Sequence, residues 1–278
     1  MLGNGKKYIV KINIPFSITG TLLEGICVNQ KEGCISWVDI EEKKIFYSEN
    51  NLEDIKAFDY ESTPSNIFFV SKKIAIILDD NGISNFYWES GKSERIVNLS
   101  KILADSGYRG NDGIMLGDGD YLFGSMSKKA PEVYPGSIWH YTKHELKKIQ
   151  DCHIPNLFVK LNNKILIADS YKKFIYEYSE TGDYKGLWSD WSKLDGTPDG
   201  GCVSVDNNIY VASWGSGEII KLNTDGRRIA SIKLPMIQPT NCKIYNNSLI
   251  VSSATVGLSK RQLKKYPASG KIVITEFF

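Results

Sequence analysis

Six apolar runs, each closing on a small or acidic residue, recur at near-constant spacing along the 278-residue chain. They are ISWVD ending at Asp39, AIILD at Asp79, YLFGS at Ser125, ILIAD at Asp169, IYVAS at Ser213 and LIVSS at Ser253, and successive endpoints lie 40, 46, 44, 44 and 40 residues apart. A period of about 40 to 50 residues is that of a four-stranded propeller blade. The stretch Thr197 to Arg228 shows the unit in full. Its apolar runs, Cys202 to Val205, Ile209 to Ala212 and Glu218 to Leu222, are separated by turn residues too closely spaced to admit a helix. After most endpoints a turn leads into another β-rich run (KKIFYS, GISNFYW, GSIWHY, KFIYEY, EIIKLN), and the third repeat carries an insertion, SKKAPEVYPG, at this point.

Such sheets cannot bury both faces alone, so they stack around an axis and the ring must close. The predicted fold is all-β, a six-bladed propeller forming a single domain over residues 1–278. The N-terminal run YIVKINI is expected to complete the last blade beside the C-terminal run KIVITEFF. A two-sheet sandwich does not explain the period. Leu99 to Ser106 is the one segment read as helical, a short connection.

Composition excludes several classes. A net charge of +2 gives no field for nucleic acid or an anionic membrane, and Lys6, Lys7, Lys260, Arg261, Lys264 and Lys265 are too dispersed to form a binding stripe. The N-terminus lacks an apolar core ahead of its charges, and no run approaches membrane-spanning length, which predicts a cytoplasmic protein, monomeric or weakly homo-oligomeric. Five widely spaced cysteines without a CxxC pair read as reduced packing residues. His140, His144 and His153 show no zinc spacing and read as surface or hydrogen-bonding residues.

In a propeller the innermost strand of each blade runs beside the central channel. Counting back 12 to 15 residues from each endpoint reaches Glu24, Ser65/Asn66, Asn111, Asn156, Asp199 and Thr240/Asn241. Each precedes an apolar run, so all are expected at one mouth. Taken singly, such residues cap strand ends. Recurring in phase, Glu24, Asn156 and Asp199 read as oxygen ligands for one hard divalent cation, Ca²⁺ first, with Mg²⁺, Mn²⁺ or Zn²⁺ as the other candidates. Asp199, between Pro198 and Gly200, leads the set. Arg109 and Asn111 join the same mouth, where a guanidinium and an amide can hold the oxygens of a polar substrate. Asp112 is read as supporting the loop.

The motifs together resemble the senescence marker protein, regucalcin and gluconolactonase family. LLEG at Leu22 to Gly25 resembles its acidic ligand motif, RGNDG at Arg109 to Gly113 its substrate-binding Arg and Asn, IPN at Ile154 to Asn156 its Asn ligand, and PDG at Pro198 to Gly200 its catalytic Asp ligand. Two positions depart: Ile26 stands where the family often has Pro, and Leu157 where it usually has Gly. The resemblance implies metal-dependent opening of a lactone, with a sugar lactone such as gluconolactone as the expected substrate. Asp199 would be both ligand and base, and Arg109 and Asn111 would orient the sugar. The Lys128 to Gly136 insertion is expected on the substrate-selecting rim. The alternatives are a hydrolase acting on a non-sugar lactone or a phosphotriester, and a non-catalytic propeller that binds a metal or ligand.

Overall fold

The computed structural model describes residues 6–8, 11–14, 18–49 and 54–276. Six antiparallel sheets of four consecutive strands or their equivalent follow one another in chain order. Their innermost strands are Leu23–Asn29, Pro64–Val70, Tyr108–Gly117, Pro155–Leu161, Thr197–Val203 and Pro239–Tyr245. Each touches the next, and the last touches the first, so the ring is closed around a channel. The six repeated runs are the second strands of the blades, among them Cys34–Asp39 and Ile209–Trp214.

Alternating side chains on each sheet fill the spaces between blades. Six hydrophobic clusters result, one at each blade boundary. Between the first and second blades Tyr47 stacks on Trp88 with centroids 4.5 Å apart. Between the sixth and first, Tyr245 and Ile250 pack with Leu23 and Trp37, which seals the ring. Turn chemistry sets the register: Asn246 and Asn247 both adopt left-handed backbone (φ 46° and 59°) between the paired residues Tyr245 and Ser248, as a two-residue hairpin requires.

Closure follows the expected pairing and adds to it. Ile12–Asn13 lies antiparallel to Val273–Glu276 in the sixth blade, with Ile12 opposite Thr275. Lys6–Tyr8, however, pairs in parallel with Arg228–Lys233 and gives the fifth blade a fifth strand. The N-terminal segment thus bridges two neighbouring blades instead of serving one. Residues 9–10 of the expected strand, and 277–278 of its partner run, lie outside the described residues.

The helical expectation needs correcting. Within Leu99 to Ser106 only a 3-10 turn forms, Ala104–Ser106. An α-helix instead occupies Lys260–Lys265, in the connection that follows the second strand of the sixth blade. Its start carries a capping box, with Ser259 accepting from the Gln262 N–H and the Gln262 side chain accepting in return, the S-x-x-Q pattern that signals a helix start. The basic residues on it are exposed.

The acidic endpoints are structural. Asp39 accepts the Thr21 N–H (2.8 Å) and the Leu22 N–H (3.1 Å), holding the segment that enters its own inner strand. Asp169 does the same for His153, and Asp79 takes the Tyr60 hydroxyl at 2.7 Å and Arg95 at 2.8 Å. His153 also stacks on Tyr171, and His140 lies 2.7 Å from Asp120. All five cysteines are free, and Cys34, Cys152, Cys202 and Cys242 are buried. Among the described residues no helix is long and apolar enough to cross a membrane.

Candidate active site

Near its start every inner strand shifts register against the second strand. In the first blade Glu24 pairs with Val38 and Cys27 with Ser36, so Gly25 and Ile26 together face Trp37. The same bulge sets Leu157 and Phe158 against Ile167, and Asp199 and Gly200 against Ala212. A bulge re-aims the side chain beside it. These residues therefore lie within strands, not ahead of them as the apolar runs suggested, because the bulge interrupts the alternation that marks a strand in sequence.

All five predicted residues, Glu24, Arg109, Asn111, Asn156 and Asp199, line one cavity of about 290 Å³ at the mouth where the inner strands begin. Seven further residues complete it: Leu22, Ile40, Met126, Ile154, Ser170, Thr197 and Trp214. Ser65 and Thr240, also in phase, are buried beside the mouth without lining it; the Thr240 hydroxyl donates to the Leu23 carbonyl at 2.5 Å. A larger cavity of about 880 Å³ opens at the opposite end of the channel and contains none of the five.

A hydrogen-bond relay crosses three blades. Arg109 Nη1 donates to Asn111 Oδ1 at 2.7 Å and to the Gly110 carbonyl at 2.8 Å. Asn111 Nδ2 donates to Asn156 Oδ1 at 2.8 Å and to the Pro155 carbonyl at 2.9 Å. Asn156 Nδ2 reaches Ser170 Oγ at 2.9 Å, and Ser170 donates onward to the Pro198 carbonyl at 2.6 Å, next to Asp199. The Arg109 guanidinium is thus no surface ion-pair partner.

Electrostatically the site is short of positive charge. Burial first, then the Asp112 charge, pushes the Glu24 carboxyl up from 4.5 to about 8, against the Gly25 N–H and Arg109. Burial, then Glu24, then Asp112 holds Asp199 well above the ordinary carboxylate range. Two carboxylates this close cannot both ionise without compensation, and Arg109, itself lowered by burial, supplies only part of it. Asp112 faces away from the cavity: its Oδ1 accepts from Gly113 N–H at 2.8 Å and its Oδ2 from Phe158 N–H at 3.4 Å, bracing the next blade's bulge. Lys243, which donates to the Gly201 carbonyl at 2.7 Å, sits in the opposite cavity and favours the charged form of Asp112.

Leu157, the departure beside Asn156, has left-handed backbone (φ 57°) like Gly25 (φ 60°) at the equivalent bulge. Its side chain is fully buried in the core between the fourth and fifth blades, away from the cavity. Room comes from Gly201, where a Cβ would stand 2.6 Å from Leu157 Cδ1 and 2.3 Å from the Tyr210 carbonyl oxygen.

Residues 22–255 match the SMP-30/gluconolactonase/LRE-like region, most of the chain. The chain belongs to that family. Regucalcin from Xenopus laevis is 25% identical over 282 residues, covering 95% of this chain and 93% of its own. L-arabinolactonase from Azospirillum brasilense is 24% identical over 268 residues, covering 92% and 88%. A solved structure of a calcium-binding regucalcin from Agrobacterium tumefaciens superposes with a TM-score of 0.88 at 22% identity, covering 98% of this chain and 95% of that one; this likeness bears on the fold.

The seven lining residues that sequence reasoning passed over obey the same period. Leu22, Ile154 and Thr197, like Arg109, stand two residues before the in-phase position, and Ile40, Met126, Ser170 and Trp214 each follow a repeat endpoint. The signal was present, but it lay one residue past the runs that defined the repeat or two residues ahead of the in-phase positions.

Proposed function

We propose that this protein opens a lactone by adding water across its ester bond. The observation that carries the reading is the convergence of Glu24, Asn156, Asp199, Arg109 and Asn111, from four inner strands, on one cavity. The family relationship, which includes an L-arabinolactonase, points to the same reaction.

The donor set fits a hard divalent cation. Among the described residues no three His, Cys, Asp or Glu side chains come together, so Glu24 and Asp199 would be completed by the Asn156 amide oxygen, which keeps a lone pair beyond the one taken by Asn111. Two carboxylates held above their ordinary range by burial and neighbouring negative charge call for the two positive charges such an ion brings. Ca²⁺, the ion bound by the Agrobacterium regucalcin, is the first candidate. A bound ion there supplies polarisation of the ester carbonyl and stabilisation of the developing oxyanion.

The chain's own groups do the rest. Asp199 Oδ1 is held by the Gly200 N–H at 3.1 Å, and its other oxygen takes a proton from the attacking water, a contribution of about 10² to 10⁴ in rate. The new bond joins water oxygen to acyl carbon, the acyl–oxygen ring bond breaks, and the proton held by Asp199 passes to the departing alkoxide, giving a hydroxy acid. Arg109 orients the ring through donors not engaged by Asn111. Acid release from lactones in weak buffer, measured with chelated protein and after each cation is restored, tests the reading; no cation-dependent acid release from any lactone contradicts it.

A further inference from the structure

The cavity has two tiers of different chemistry. The floor is polar: Glu24, Asn111, Asn156 and Asp199. The tier above it is mostly apolar, with Leu22, Ile40, Met126, Ile154 and Trp214 drawn from four blades. Four of these are half-buried, and Ile40 is buried at 3% exposure. Half-buried aliphatic side chains around an open pocket gain by covering one another or a ligand, since each carries apolar surface toward water.

The polar groups left to serve ring substituents are few. Both amide hydrogens of Asn111 are taken, by Asn156 and Pro155. Ser170 accepts from Asn156 and donates to Pro198. Among the described side chains, only Thr197 and the unengaged part of Arg109 remain above the floor. A sugar lactone carries a hydroxyl on nearly every ring carbon, and each one pressed against Leu22, Met126 or Ile154 would lose its water without gaining a partner. Trp214 alone would suit the apolar face of a sugar; the aliphatic side chains beside it do not.

Resting on the lactone reading above, we infer that the substrate is a monocyclic lactone bearing an alkyl substituent, seated with its ester on the polar floor and its chain against Leu22, Met126, Ile154 and Trp214. A volume of 290 Å³ is at the small end of ligand pockets, which suits a five- or six-membered ring with a chain of about four to six carbons. Outside the cavity lining, Val133 and Tyr134 of the third-blade insertion and Tyr171 of the fourth blade are 62%, 57% and 52% exposed on connections that follow second strands, the end of those strands at which Ile40, Met126, Ser170 and Trp214 line the cavity.

Hydrolysis-resistant lactams separate the wall from the chemistry. Calorimetry of γ-lactams with alkyl chains from methyl to hexyl, alongside a polyhydroxylated lactam, should show Kd tightening about three- to fourfold per methylene. The polyhydroxylated compound should bind weakest, and Ile154→Asn should flatten the gradient. A Kd indifferent to chain length, or tightest for the polyhydroxylated lactam, overturns the inference. Turnover of the matching lactones is then read separately: an intact gradient with no lactone opened upholds the apolar wall and counts against hydrolysis, whereas turnover that favours sugar lactones with a flat gradient upholds hydrolysis and overturns the wall.

Discussion

Asn111 Nδ2 donates to Asn156 Oδ1 at 2.8 Å across the boundary between the third and fourth blades. Because Arg109 holds the Asn111 oxygen from behind, the amide of Asn111 is locked in one orientation and fixes that of Asn156. On the proposed function, Asn111 would therefore act first as a positioning residue for the cation site. Asn111→Ala should weaken cation affinity about 10- to 100-fold, the usual cost of losing a group that orients a ligand, read by competition with a chelating dye. A raised KM with unchanged cation affinity would instead make Asn111 a direct substrate contact.

Leu157 tests whether a side chain at a left-handed position disturbs the site. Its φ of 57° costs about 1–2 kcal/mol, and its burial among Val159, Trp191 and Ile220 offsets that cost. Leu157→Gly relieves the strain but empties a core position, where Leu→Ala alone costs about 2–5 kcal/mol. The variant should be less stable by about 2–4 kcal/mol in denaturant unfolding, while each folded molecule retains wild-type turnover. A gain in turnover would mean that Leu157 distorts Asn156.

Lys128 ties the third-blade insertion to the second blade through Asp80 at 2.7 Å. Burial acts to raise the Asp80 pKa, but the Lys128 and Thr63 hydrogen bonds outweigh it and leave it below its ordinary 3.8. A depressed carboxyl contributes stability that is present above the unfolded value and lost as pH falls through the folded one. Asp80→Asn should therefore cost about 1 kcal/mol at neutral pH, and the gap between variant and wild type should close as pH drops below 3.8. A gap that persists in acid would assign the effect to packing.

The propeller was legible because its period is written by the second strands, whose apolar runs are continuous and whose endpoints have a structural task. Asp39 and Asp169 hold the segment preceding their own inner strand, so the residue that marks the repeat also sets the distance to Glu24 and Asn156. The inner strands were harder to delimit, since a bulge at Gly25, Leu157 or Gly200 breaks their alternation. The division of the N-terminal segment between two blades was not legible, because the strand read in sequence began at Tyr8, left Lys6 and Lys7 outside it, and only the ring decides which edge each piece meets. The helix at Lys260–Lys265 did carry its capping box, Ser259 to Gln262, but the sequence reading took its basic residues only as dispersed charge and passed the cap over. The apolar tier escaped notice because Leu22, Ile40 and Ile154 are indistinguishable in sequence from core residues.

The most direct measurement compares lactone opening by wild type and Asp199→Asn, each first shown by calorimetry to hold the same cation. Asparagine keeps an oxygen for the ion but cannot take a proton from water. The account predicts retained fold, largely retained cation binding and turnover lower by about 10² to 10⁴, whereas Glu24→Gln loses cation affinity first. Equal turnover in wild type and Asp199→Asn at matched cation occupancy would contradict the assignment of Asp199 as the base.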